Sequence, residues 1–183
     1  MGGIRLRHIL VEIVCRQCGY HTHIKSHTLI LPEIEPRQRE QILNETMFTF
    51  TCPSCQNKLH FLHNFLYHDP KRHFLAYMSS QGEAPHELKE QFPHALLVQV
   101  HDPLELKEAI LISEDDLDHT LMQKIKALLK QKDPDVLHIR YHDYDADSET
   151  IWLDYHYNQA TICKAIARST YERLKRQWEA ERG

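Results

Sequence analysis

The sequence predicts an α+β fold in two halves, and three observations carry that reading. Within the first 80 residues, strand-like segments flank two Cys-x-x-Cys pairs. Later in the chain, apolar residues recur at helical spacing, as in Leu117, Leu121, Ile125 and Leu128. Between these regions lies Ser79–Pro93, where Gly82, Pro85 and Pro93 sit among charged residues. The expected halves are therefore residues 1–80 and 81–183.

Each element follows from its local pattern. His8–Val14 reads as a strand, with Ile9, Val11 and Ile13 alternating against Leu10 and Glu12. Cys15-Arg16-Gln17-Cys18 and Gly19 come next, and a second strand pattern runs from Tyr20 to Leu31 before Pro32. Pro36 opens a short helix to about Asn44, because its fixed φ and missing amide suit the first helical position. Met47–Thr51 is a strand by its aromatic and β-branched content. Cys52-Pro53-Ser54-Cys55 follows, and Leu59–Tyr67 and Phe74–Met78 are the next strands.

Beyond Pro93, Ala95–Val100 reads as a buried strand and Asp102–Ile110 as a short helix. Ser113 is the expected cap of a longer helix. Asp116 stands three residues on, and Glu114 and Asp115 suit the positive end of the dipole. Asp133-Pro134 closes it. Val136–His142 and Thr150–Tyr155 pair as a hairpin about the acidic turn of residues 143–147. Residues 159 to about 180 form the last helix, with Ile162, Ile166, Leu174 and Trp178 on one side and Arg168 and Glu172 four apart on the wet face.

The two Cys-x-x-Cys pairs carry the chemistry. Such a turn places two sulfurs on one side of a metal, and two turns complete a tetrahedron of thiolates, the set zinc prefers. Gly19 suits the positive φ that the turn needs, and Pro53 stiffens the second pair. Thirty-three residues separate Cys18 from Cys52, more than the roughly 15–20 of the generic spacing, and the helix at Pro36 fills the excess. Cys15, Cys18, Cys52 and Cys55 are therefore expected to bind one structural Zn2+, with no open coordination position; iron in the same tetrahedron and redox-active cysteines are the alternatives. The expected N-terminal half is a zinc ribbon with a helical insertion, followed by a small α+β C-terminal half.

The stretch Cys15–Lys71 resembles the CpXC family, whose signature Cys52-Pro53-Ser54-Cys55 matches. Leu66-Tyr67-His68-Asp69-Pro70-Lys71 is similar to the segment that follows the signature in family members. Glu105–Ile110 and Glu114–Asp118 resemble its later half. The likeness covers roughly residues 8–130. Gln56 departs from the glycine that ribbons often carry after the second pair. The resemblance implies a metal-binding domain and no defined activity.

Other groups admit both a chemical and a plainer role. The fifteen His include His21 and His23 on one strand face, His60 and His63 after the second pair, and His68 beside Asp69. These could hold a second metal or act in acid–base chemistry, against the plainer reading of solvated or packed histidines. Asp143, Asp145 and Asp147 resemble the start of a calcium loop. Ser148 stands where its glycine belongs and Asp154 where its glutamate belongs, so a solvated turn is expected. Cys163 is expected as a buried free thiol. Lys164, Arg168, Arg173, Lys175 and Arg176 are diluted by Glu172, Glu179 and Glu181 and read as a wet helix face. Only five Gly occur, and no phosphate-cradling glycine motif is present.

The net charge of −4 splits into +3 over residues 1–80 and −7 over residues 81–183, too little positive charge to mark a nucleic-acid binder. No apolar run approaches the roughly 20 residues of a membrane span. Glu12 interrupts Ile9-Leu10-Val11 too early for a leader core. The expectation is a cytoplasmic, non-enzymatic interaction module, with a protein as first partner, nucleic acid second and no membrane. The rival reading is a metal-dependent hydrolase with a histidine–carboxylate site near His68 and Asp69.

Overall fold

The computed structural model describes residues 8–181. Two compact units divide the chain, Met1–Ala109 and Ile110–Gly183, and each is taken by itself. The residues before His8, which enter the leader argument, lie outside the described residues.

The first unit opens with an antiparallel hairpin of β1 (His8–Val14) and β2 (His21–His27), in register from His8↔His27 to Val14↔His21. Alternation sorts its faces. Ile13 and Ser26 are buried on one side, while Leu10, Glu12, Val14, His21, His23 and Lys25 are exposed on the other. Next come β3 (Leu29–Ile30) and α1 (Pro36–Leu43), which starts on its proline and buries Ile42. A second antiparallel hairpin pairs β4 (Thr49–Thr51) with β5 (Lys58–His60). The unit continues through β6 (Phe65–Asp69), β7 (Phe74–Met78), α2 (His86–Gln91) and β8 (Leu96–Val100). α3 (Pro103–Glu114) spans the division between the units.

The first unit's larger sheet has the order β3-β6-β7-β8. Its central pair is antiparallel and both outer pairs are parallel. Every residue of β7 is buried, which explains its unbroken apolar run. Leu29, Leu66, Leu75, Tyr77 and Leu88 form one core cluster, with Phe92 and Leu97 packed against it.

Ser79–Pro93 does not separate two halves. It contains α2, which contributes Leu88 to that core, and the strand after it pairs with β7. One apolar anchor in a six-residue helix is too weak a period to read among Gly and Pro.

The second unit holds α4 (His119–Lys132), β9 (His138–Asp145), β10 (Thr150–His156), β11 (Thr161–Ala167) and α5 (Arg168–Ala180). Its antiparallel sheet has the order β11-β10-β9. Ile151, Leu153 and Tyr155 of β10 face a core shared with Leu121, Met122 and Ile125 of α4 and the fully buried Tyr171 of α5.

Two expectations shift here. Ser113 lies inside α3, and the N-cap of α4 is Asp118, whose Oδ1 accepts the Leu121 amide at 2.8 Å. Residues 161–167, expected as the start of the last helix, form β11 instead. Ile162 and Ile166 sit four apart and fit a helix stripe equally well, but β10 offers an edge that pairs with all seven residues. Cys163 on that strand is exposed, not buried. Among the described residues, no helix is long and apolar enough to cross a membrane.

Candidate metal centre

Each Cys-x-x-Cys pair forms the turn of one hairpin. In the first, the Cys15 amide donates to Tyr20 O and the Gly19 amide to Cys15 O, both at 2.8 Å. In the second, the Cys52 amide donates to Asn57 O and the Gln56 amide to Cys52 O, both at 2.9 Å. The two turns repeat one hydrogen-bond pattern. Gly19 and Gln56 occupy the same place in it, with φ of 73° and 61°. The departure from glycine at Gln56 therefore leaves the turn intact.

The hairpins bring all four sulfurs together. Cys15 Sγ lies 3.5 Å from Cys55 Sγ, and Cys18 Sγ lies 3.6 Å from Cys52 Sγ. All four ligand atoms lie within 4.8 Å of one another. These separations exceed a disulfide bond of about 2.05 Å and suit the edges of a thiolate tetrahedron around a metal. Cys15 and Cys52 are buried, Cys55 is half-buried and Cys18 is exposed.

The site's electrostatics favour a thiolate. Burial pushes the Cys15 thiol up, but the amides of Cys18 and Gln17 and the neighbouring thiols of Cys55 and Cys18 bring it down to about 6. At Cys55 the Asn57 amide lowers the pKa, yet burial and the thiols of Cys18, Cys15 and Cys52 push it up to about 12. Four thiols this close resist losing every proton unless a cation enters among them. The donor set therefore fits a divalent ion that prefers sulfur.

The other histidines take separate places. His63 is bound on both ring nitrogens, by Ser26 Oγ and by the Asn64 carbonyl, each at 2.9 Å, and lies among Phe48, Phe61 and Phe65. Burial pushes its pKa down. His60, the last residue of β5, is exposed.

His68 and Asp69 do not form a site. They are consecutive on β6 and so point to opposite faces of the sheet. His68 packs on Phe92 with ring centroids 4.5 Å apart. Asp69 Oδ1 accepts the Lys71 and Arg72 amides at 3.0 and 3.3 Å, closing the turn into β7. The hydrolase reading at this pair falls on that geometry.

Asp145 is likewise occupied by its own turn. It accepts the Asp147 amide at 3.0 Å and the Ser148 hydroxyl at 2.6 Å, as expected of a solvated hairpin end.

Two groupings were missed by sequence reasoning. Glu12 joins His21 and His23, and Asp154 joins His142 and Cys163. His142 Nδ1 lies 2.9 Å from Asp154 Oδ2. Burial and Asp154 push the Cys163 thiol up, away from a reactive thiolate. The signal for Glu12 was available. A turn closed between Cys15 and Tyr20 places Glu12 opposite His23. Nothing comparable reveals Asp154–Cys163, because that pairing needs β11 to be a strand.

A family model described as CpXC protein matches residues 13–126. No curated protein matches the chain. No solved structure matches it either.

Proposed function

Starting from the chain's membership of the CpXC family, we propose that Cys15, Cys18, Cys52 and Cys55 hold one structural zinc ion, that the two hairpins form a zinc ribbon around it, and that the protein is a non-enzymatic interaction module of the cytoplasm. The observation that carries this reading is the meeting of two thiol pairs, 34 and 40 residues apart, at 3.6 and 3.5 Å. Four sulfurs fill a zinc tetrahedron, leaving no position for substrate. A reducing compartment keeps such thiols available to metal.

A protein is the partner that best suits the second unit. α4 and α5 enclose a groove of about 400 Å³ lined by Leu121, Ile125, Leu128, Leu174 and Trp178. The Lys124 ammonium stands 2.9 Å above the Trp178 ring. An apolar groove with one cation–aromatic pair suits an apolar side chain better than a phosphate backbone.

Elemental analysis of the purified chain tests the metal. We expect one tightly held zinc per chain, lost in Cys52→Ala together with the fold of the first unit. A metal-free native protein, or a variant that melts like wild type, overturns the structural role. Affinity capture tests the partner. The zinc-loaded chain should retain a protein that Leu128→Asp releases, and recovery of nucleic acid alone would overturn the protein reading.

A further inference from the structure

We propose that Glu12, His21 and His23 form a second divalent-metal site, open to solvent, on the outer face of the first hairpin. It is separate from the thiol centre and does not depend on it. The first Cys-x-x-Cys turn fixes the register, so Glu12 stands directly across from His23 and Val14 from His21. His21 and His23 are two apart on β2 and therefore share a face.

Glu12 reaches diagonally, placing Oε1 2.7 Å from His21 Nε2. The two imidazoles meet edge to face with centroids 5.3 Å apart. One ligand atom from each of the three residues lies within 4.8 Å of the other two. An ordinary histidine–glutamate pair accounts for His21 but not for the approach of His23.

The chemistry of the donors selects the ion. Two imidazoles and one carboxylate suit zinc, copper(II) or nickel, and they suit calcium or magnesium poorly. The three ligands carry one negative charge when the rings are neutral, so a divalent ion is attracted and only partly neutralised. Side chains of His21 and Glu12 are 50% and 63% exposed, so binding removes little water from them and leaves coordination positions for water or an outside ligand. Because the ladder already pins both backbones, only side-chain torsions remain to be fixed when the ion arrives. Binding requires neutral imidazoles, because a protonated ring has no lone pair left to give the metal.

Cobalt titration of the full chain separates this site from the thiol centre. The first equivalent should give sulfur-to-metal charge-transfer absorption. The second should add none and should shift the imidazole resonances of His21 and His23. With one zinc preloaded, calorimetry should show a further zinc isotherm. The double variant His21→Ala/His23→Ala should lose that isotherm while keeping the charge-transfer band and the melting temperature, which certifies that its first unit is folded. Glu12→Gln should weaken the isotherm without removing it. A preloaded wild type that takes up no further zinc, or a double variant that binds it equally well, overturns the proposal. Failure of the thiol reading would show differently, as absence of the charge-transfer band.

Discussion

At the scale of single residues, the two knuckle turns present a natural comparison. Gly19 and Gln56 hold the same left-handed conformation in the same hydrogen-bonded turn, but only one is a glycine. A side chain in that region costs roughly 1–2 kcal/mol, and the greater freedom of glycine in the unfolded chain takes back about half of this. Gln56→Gly should therefore stabilise the first unit by about 0.5–1 kcal/mol, seen as a raised denaturation midpoint. Gly19→Ala should destabilise it by a similar amount. A Cβ at Gly19 meets no atom within 4 Å, so that cost is purely conformational. The cysteines and Gly19 announced themselves in the sequence because their chemistry is specific. Gln56 stood out only as a departure from the usual glycine, and its positive φ could not be read from a polar side chain.

At the scale of elements, His63 joins the first hairpin to the strand that follows the second. Its Nε2 meets Ser26 of β2 while its ring sits among three phenylalanines. Burial holds its pKa below the ordinary value, with the Asn64 carbonyl opposing. Burial does the same to His68, with Asp69 opposing, and to His27, where His8 and Lys25 add to it and Glu35 opposes. The unfolded chain then binds more protons than the folded one below about pH 6.5, and stability falls as pH drops through that point. Denaturation midpoints taken between pH 7.5 and 5.5 should decline, and His63→Gln should flatten the decline. An equal slope in the variant would assign the acid sensitivity elsewhere.

The same scale explains which elements could be read in advance. β1, α1 and β7 were plain because alternation, an N-terminal proline and a continuous apolar run each point to one structure. Leu59–Tyr67 read as one strand but divides into β5 and β6, since Phe61 and His63 turn into an aromatic cluster rather than a ladder. β11 was hidden because tertiary pairing overrode an equally good helical stripe. The cap moved from Ser113 to Asp118 because Leu111 and Ile112 extend α3 past the serine.

At the scale of the molecule, the chain divides into two compact units, and its two tryptophans fall in one of them. Trp152 and Trp178 both lie in the second unit, while all four cysteines of the thiol centre lie in the first. Stripping the proposed ion with a chelator under reducing conditions should reduce the far-UV circular dichroism and leave tryptophan emission unchanged. If both signals move together, the units unfold as one. The family match ends at residue 126, inside α4, so the sheet and last helix of the second unit fall beyond it. That boundary explains why the first unit was easier to anticipate: its pattern is shared, whereas the later sheet had to be inferred from local alternation alone.

The parallel pairing of β3 with β6 has a kinetic consequence. Leu29 must find Leu66 across a long excursion containing α1 and the whole second hairpin. The length-dependent entropy of closing such a loop is about 3 kcal/mol, and contacts this distant in sequence slow folding. The ion proposed for the thiol centre, if captured early by Cys18 and Cys52, would tie the excursion shut before the strands meet. What remains is a search over the short tethers from Cys18 to Leu29 and from Cys52 to Leu66. Metal should thus act as a folding nucleus, accelerating the refolding limb of the first unit more than it slows the unfolding limb.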